Sequence, residues 1–302
     1  MKKLLLLLCS VLLLTSCGLG SGTVNSKDDT STTSTEETKP QKIISTLDYQ
    51  NFGKMGDVDG PAFAVYSKTG YSGASATIDL ASMEINTVMG RKFINGYAFF
   101  GIDVYAGTSN MWLNCVDVGL CWAGTDGGWH VFYNMYEPLN ENTPTWYESK
   151  VILPSDDIYD MSLTIVEENY ALLTIKGQNN GAYDEVRVEV KHATADGSNT
   201  AFLFNAALDY PPNTKIGTDG KRSEDFVDIT LANTDKGLYF RNIIVDDLTL
   251  YQGETAVEWT NDKNAAVSIW PDKTKKRFDY APTSVELFDG TKYIIHFDMN
   301  RE

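Results

Sequence analysis

The stretch from Tyr97 to Tyr136, YAFFGIDVYAGTSNMWLNCVDVGLCWAGTDGGWHVFYNMY, constrains this chain more than any other, because its residues alternate with the two-residue period of extended strands. It also carries three of the six tryptophans. Ala98, Phe100, Ile102, Val104 and Ala106 fall on one parity, which predicts a core face, and Tyr97, Phe99, Asp103 and Tyr105 fall on the other, a wet aromatic face. Thr125-Asp126-Gly127-Gly128 reads as a hairpin turn. Beyond it Trp129, Val131, Tyr133 and Met135 continue the apolar parity, and His130, Phe132, Asn134 and Tyr136 the polar-aromatic one. The stretch therefore predicts the middle of an antiparallel sheet with a candidate binding surface, without naming a ligand.

Similar strand-like segments run from Ala62–Ser67 to Lys292–Phe297, about fifteen in all, Phe226–Leu231 among them, with no convincing helix between them. Asn180-Gly181, Asp196-Gly197, Lys236-Gly237 and Asp289-Gly290 each supply residues that tolerate positive φ between two apolar runs. Antiparallel connections follow, and so many strands exceed what one open sheet holds without curling. The expected fold class is all-β, an antiparallel two-sheet β-sandwich. No repeat of fixed period is present, which excludes a propeller or solenoid of self-similar units.

Two stretches carry a family resemblance. Val116-Asp117-Val118-Gly119-Leu120 followed by Gly128-Trp129-His130-Val131-Phe132 is similar to the central hairpin of laminin-G-like proteins. Val245-Asp246-Asp247-Leu248-Thr249-Leu250-Tyr251-Gln252 resembles the closing strand of laminarinase-type glucanases. Both belong to the concanavalin A-like lectin and glucanase superfamily, and the resemblance implies a jelly roll of two large curved sheets.

The N-terminus predicts export. Met1-Lys2-Lys3 is a basic start, Leu4 to Leu14 an apolar core, and Leu14-Thr15-Ser16-Cys17 a small-residue site ending in cysteine, which resembles the bacterial lipobox. The apolar run is shorter than the ~20 residues that span a bilayer. The resemblance implies that residues 1–16 are removed and Cys17 is lipidated, anchoring the chain to the membrane. From position 17 to 42 the composition turns to Ser, Thr, Gly, Glu and Lys, too polar to fold alone, and reads as a tether spanning roughly 28 Å at about 5–6 Å times the square root of length. Residues 43–302 are then expected to form one sandwich domain. Loss of Lys2 and Lys3 leaves 23 basic against 41 acidic residues, a formal charge of −18. Such acidity argues against a nucleic-acid partner and suits a neutral ligand.

No catalytic signature is present. A retaining glucanase needs two carboxylates about 5 Å apart. The nearest single-strand approach, Glu185-Val186-Arg187-Val188-Glu189, holds its glutamates about 13 Å apart at ~3.3 Å per residue and reads as a solvated face. Asp225 and Asp228 fall on opposite faces of their strand. His130, His192 and His296 are scattered singly, so no zinc site can be assembled from the sequence, and no cofactor is expected. Calcium could be held by Asp57-Val58-Asp59-Gly60 or Asp156-Asp157. Cys115 and Cys121 would lie about 20 Å apart on a continuous strand, too far for a disulfide, which needs less than ~7 Å. They read as two packing thiols on one long strand, with a bulge at Gly119 that carries Asp117 off the apolar parity.

What remains is the aromatic face. Tyr97, Phe99, Asp103, Tyr105, Trp112, Asn114, Trp122, His130, Phe132, Asn134 and Tyr136 combine flat rings, which stack on the apolar faces of sugars, with groups that bond hydroxyls. The same rings would serve equally as core beneath a covering loop. The expected function is a surface-anchored lipoprotein whose sandwich binds carbohydrate or a similar neutral polymer. A glycan-cleaving enzyme with carboxylates from separate strands is one alternative, and a structural envelope protein contacting a protein partner is another.

Overall fold

The computed structural model describes residues 40–42, 61–89, 92–93, 95–107, 111–123, 127–208, 238–270, 283–288 and 290–298. Its strands in chain order are β1 (Gln41–Lys42), β2 (Ala62–Ser67), β3 (Gly73–Asp79), β4 (Glu84–Asn86), β5 (Val88–Met89), β6 (Lys92–Phe93), β7 (Gly96–Ala106), β8 (Met111–Ala123), β9 (Gly128–Met135) and β10 (Trp146–Glu148). They continue with β11 (Ile158–Glu167), β12 (Tyr170–Gly177), β13 (Tyr183–Glu189), β14 (Thr200–Leu208), β15 (Tyr239–Gln252), β16 (Thr255–Glu258), β17 (Asn264–Trp270), β18 (Thr283–Phe288) and β19 (Lys292–Asp298). Asn261–Lys263 forms a 3₁₀ turn, and among the described residues no helix is long and apolar enough to cross a membrane.

Two antiparallel sheets form a sandwich. One runs β1-β18-β19-β15-β3-β11-β12-β13, with β4 and β16 also on β15, and the other runs β10-β9-β8-β7-β14-β2-β17. Alternation explains the first sheet: Tyr159, Met161, Leu163 and Ile165 of β11 and Tyr293, Ile295 and Phe297 of β19 point inward, and the residues between them face water. The long β15 takes two bulges, at Phe240/Ile243 and Asp246/Thr249, with Asn242 at φ 55° and Asp247 at φ 52°, and these bend the sheet around its partner. Gln41 and Lys42, polar by composition and read as tether, pair with Leu287 and Glu286, because backbone pairing at a sheet edge makes no demand on side-chain polarity.

The seven-stranded sheet is different. Its inner face packs Phe63, Ala98, Phe100, Ile102, Val116, Val118, Leu120, Trp129 and Phe204 against the ten-stranded sheet, with Trp129 5.9 Å from Phe240 and Phe63 5.3 Å from Tyr293 between ring centres. Full burial of such a side chain contributes about 1.5–3 kcal/mol. Its outer face is covered as well: Ala64, Tyr66, Tyr97, Phe99, Cys121, Phe132, Leu203 and Ala266 form a second buried cluster. The aromatic face expected to be wet is therefore buried along most of its length.

Of the predicted segments, Phe226–Leu231, Lys236-Gly237 and the signal and tether up to position 39 lie outside the described residues, as does Asp289. Gly181, Gly197 and Gly290 take positive φ at their turns. The bulge expected at Gly119 lies instead at Leu113: Val104 pairs with Asn114 and Tyr105 with Trp112, whereas Gly119 pairs regularly with Phe99 and Phe132. Gly119 is there for space, since a Cβ would sit 2.5 Å from the Phe99 Cα.

Candidate functional site

Strand register places the outer-face side chains in rows. One row runs Asn205, Phe99, Gly119, Phe132 and Glu148; the next runs Leu203, Gly101, Asp117, Asn134 and Trp146; a third holds Asp103 and Cys115, with Tyr136 at its end. Asp103 and Asp117 are thus diagonal neighbours on adjoining strands, a relation that puts Cβ atoms about 7–8 Å apart or less. The Asp117 carboxylate leans over β7: a Cβ on Gly101 would meet its Oδ1 at 3.0 Å and the Leu203 side chain at 2.8 Å. Gly101 therefore makes room for the carboxyl group on the Asp103 strand.

Each aspartate is 3 % exposed. Asp103 accepts a hydrogen bond from Trp112 Nε1 at 3.2 Å and another from the Tyr105 hydroxyl. Burial nevertheless pushes its carboxyl up to about 7, with those two donors opposing the rise. Burial also pushes Asp117 well above the usual carboxylate range, and the neighbouring charge of Asp103 adds to it. The Tyr105 hydroxyl is raised in turn by burial, by the charge of Asp103 and by donating to it. Two carboxyl groups of raised proton affinity and unequal hydrogen bonding on one face are suited to acid and base work.

The rim of this centre is aromatic. Trp112 is half-buried and packs edge-on against Tyr136 at 4.9 Å; Tyr136 is 56 % exposed. Trp146, opposite Asn134 and 37 % exposed, lies 5.4 Å from the Phe132 ring. Asn134 stands between Asp117 and Trp146.

The remaining predicted residues divide by depth and by face. Tyr97 and Phe99 are buried, edge-packed with Phe132 at 5.2 and 5.6 Å, and Asn95 Nδ2 donates to the Tyr97 hydroxyl at 3.2 Å. His130 is buried opposite Cys121, its Nδ1 2.8 Å from the Ser149 carbonyl. Asn114 and Trp122 belong to the inner face: Asn114 bonds the Glu137 and Lys191 carbonyls, and Trp122 packs on Trp129 at 5.6 Å. Both carry even numbers, as do Val116, Val118 and Leu120, so regular alternation puts them inside. The bulge at Leu113 brings Trp112 alone to the outer face.

Asp117, Trp146 and Asn205 were missed by sequence reading. For Asp117 the signal was present in its alternation with Val116 and Val118; for Asn205, inside the apolar run Ala201–Leu208, it was a polar residue in a strand buried on both faces. Trp146 offered none, because its place depends on β10 pairing with β9.

The glutamates of β13 are engaged as structure. Glu189 accepts from the Leu139 and Asn140 amides and the Thr143 hydroxyl, and Arg187 pairs with Glu167 and lies over the Tyr170 ring. Of the calcium candidates, Asp57–Gly60 lies outside the described residues. Asp157 is occupied: it accepts from the Ile158, Asn179 and Asn180 amides and from Asn179 Nδ2. Among the described residues no three His, Cys, Asp or Glu side chains are grouped to hold a metal ion. Cys115 and Cys121 are not joined to each other. Cys121 is a buried thiol outside any disulfide, as expected of a packing residue.

No protein-family model matches this chain, and no curated protein matches it. Among solved structures it is similar to scytalido-glutamic peptidase with a peptide-based transition state analog, with a TM-score of 0.44 and 12% identity, over 80% of this chain and 98% of that one. It is also similar to SCP-B, a member of the Eqolisin family of peptidases in complex with a tripeptide, at a TM-score of 0.42 and 13% identity over 80% and 98%. Lectin II from Ulex europaeus gives a TM-score of 0.27 and 9% identity over 57% of this chain and 70% of the lectin. What this chain has in common with the glutamic peptidases and legume lectins is an all-β sandwich.

Proposed function

We propose that this chain is a lipid-anchored bacterial surface protein whose sandwich binds carbohydrate or a similar neutral polymer at the β8–β10 side of the outer face. The observation that carries the reading is the exposed rim of Trp112, Tyr136 and Trp146 around Asn134 and a carboxyl pair whose raised proton affinity keeps it from full ionisation. Rings of this kind stack on the apolar faces of pyranoses. Amide and protonated carboxyl groups both donate and accept hydrogen bonds, which matches hydroxyls and not a charged ligand. Anchoring rests on the Leu14-Thr15-Ser16-Cys17 segment, and the net charge suits a partner without phosphate.

Glycan-array screening followed by calorimetric titration tests the binding reading. Trp112→Ala and Trp146→Ala are each expected to weaken binding by about thirtyfold, the ~2 kcal/mol typical of a stacked ring, while the urea midpoint of Trp146→Ala moves little and Trp112→Ala loses no more than the ~1.5–3 kcal/mol of its bond to Asp103. A stability loss of about 3–5 kcal/mol in both would instead make these rings core and leave the site without its platform. Membrane fractionation of Cys17→Ser tests the anchor: release into the soluble fraction is expected, and unchanged partitioning would refute lipidation.

A further inference from the structure

From the placement of two carboxyl groups on adjoining strands beneath an aromatic rim, we propose that the polymer bound at this face is also cleaved there, with Asp117 as general acid and Asp103 as general base in hydrolysis of a glycosidic bond. The inference rests on the binding reading above.

Three observations converge. First, the side chains are directed together: Asp117 lies over Gly101, two residues along the same face from Asp103. Second, the two groups are supported unequally. Asp103 is held as an acceptor by Trp112 Nε1 and the Tyr105 hydroxyl, whereas no donor among the described residues reaches Asp117, although it is 3 % exposed. A carboxyl group left without a donor is the one that keeps its proton, and a carboxylate with two donors is the one able to take a proton. Third, the same face carries a buried unsatisfied polar atom: Asn205 Oδ1, in a residue 1 % exposed, has no hydrogen-bond partner, and Asn205 stands one row from Leu203, Gly101 and Asp117. Buried polar groups without partners are uncommon in folded chains, and one here points to a ligand that supplies the missing bond. Trp112 joins the parts, since it bonds Asp103 through its indole nitrogen and presents its half-exposed ring to the rim.

In the reaction, the Asp117 O–H donates its proton to the glycosidic oxygen as the bond from that oxygen to the anomeric carbon breaks. A water oxygen forms the new bond to the anomeric carbon, and its proton passes to the Asp103 carboxylate. The products are two hydroxyl-terminated saccharides. Asp103 then releases its proton to solvent and Asp117 regains one.

The test uses the purified lipid-free full chain with four borohydride-reduced neutral polysaccharides, a β-glucan, an α-glucan, a xylan and a mannan, measuring binding by pull-down and cleavage by new reducing ends. The expected result is cleavage of at least one polysaccharide that the protein binds. Asp103→Asn and Asp117→Asn should each lower the rate by at least about a hundredfold while binding is retained, since a positioned acid or base contributes 10²–10⁴. A role-specific readout comes from 4-nitrophenyl glycosides of the cleaved sugar. Their leaving group needs no proton, so Asp117→Asn should retain activity on them and Asp103→Asn should not. Binding without any new reducing ends, or hydrolysis unchanged in both variants, overturns the inference and leaves the binding reading intact. Absence of binding to all four overturns both together.

Discussion

Asp157 at the β11 end of the ten-stranded sheet and Asp103 with Asp117 at the middle of the seven-stranded sheet are similarly hidden, at 2, 3 and 3 % exposure, yet their carboxyl groups move in opposite directions. Burial raises all three. At Asp157 that rise is outweighed by bonds from the Asn180 amide, the Asn179 side chain and amide and the Ile158 amide, which hold it down at about 2. Asp103 has two donors and is pushed up to about 7; Asp117 has none among the described residues and is raised well above the usual carboxylate range. Surface area alone does not set the protonation state of a covered carboxylate. The number of donors does, together with how much protein surrounds the group: Asp157 sits in a turn at the rim, and the pair sits in the centre of a sheet covered on both faces. The rim site serves the fold, whereas the central pair opposes it, and such tension is expected where a function is retained at the expense of stability.

The contrast is most sharply tested through pH. Because the native state holds the Asp103 proton more tightly than the unfolded chain, the protein is expected to lose stability as pH rises from about 4 through 7. Asp103→Asn removes that loss. Three pH units at about 1.4 kcal/mol each make ~4 kcal/mol the upper bound on the gain. The unfolding free energy from urea titration at pH 8 should rise by up to this amount in the variant and agree with the parent near pH 4; a variant less stable at pH 8 would mean that the carboxylate supports the fold.

A smaller effect should follow from removing one donor. Trp112→Phe keeps a ring and loses the indole N–H, so the Asp103 carboxylate forfeits a hydrogen bond worth about 1.5–3 kcal/mol and should titrate roughly one to two pH units higher, read by carboxyl-carbon NMR. An unmoved titration would show that burial alone governs Asp103. The smallest effect belongs to Asp157. Its lowered proton affinity contributes stability that is present above pH ~4 and lost as pH falls toward 2, and Asp157→Asn should flatten that acid limb without changing behaviour between pH 5 and 8. A slope below pH 4 identical to the parent's would assign acid sensitivity to other groups.

How much of this was legible beforehand follows from which interactions are local. Alternation is a property of the chain itself, so β7 and β9, the inward Phe100, Ile102 and Val131 and the two-sheet architecture could be read directly. The same alternation reached Asp103 and Asn134 on the outer face. At β8 unbroken alternation with Val116, Val118 and Leu120 already places Asn114 and Trp122 inside, against the expectation of a wet face; only Trp112, beyond the extra residue at Leu113, is turned outward by a bulge, which is set by the partner strand as well as by the strand that carries it.

What sequence by itself determined about this protein is the class of fold, the acidic charge and the strands from which a site could be built. Tertiary structure decided that the outer face is covered, that Gly101 gives Asp117 its space, that Trp146 arrives from β10, and that Asp103 and Asp117 share one environment. Those facts depend on contacts across strands far apart in the chain, such as Asn205 opposite Phe99. Proton affinity depends on the whole of that surrounding, because the field at a carboxyl group sums over every neighbour that folding brings to it.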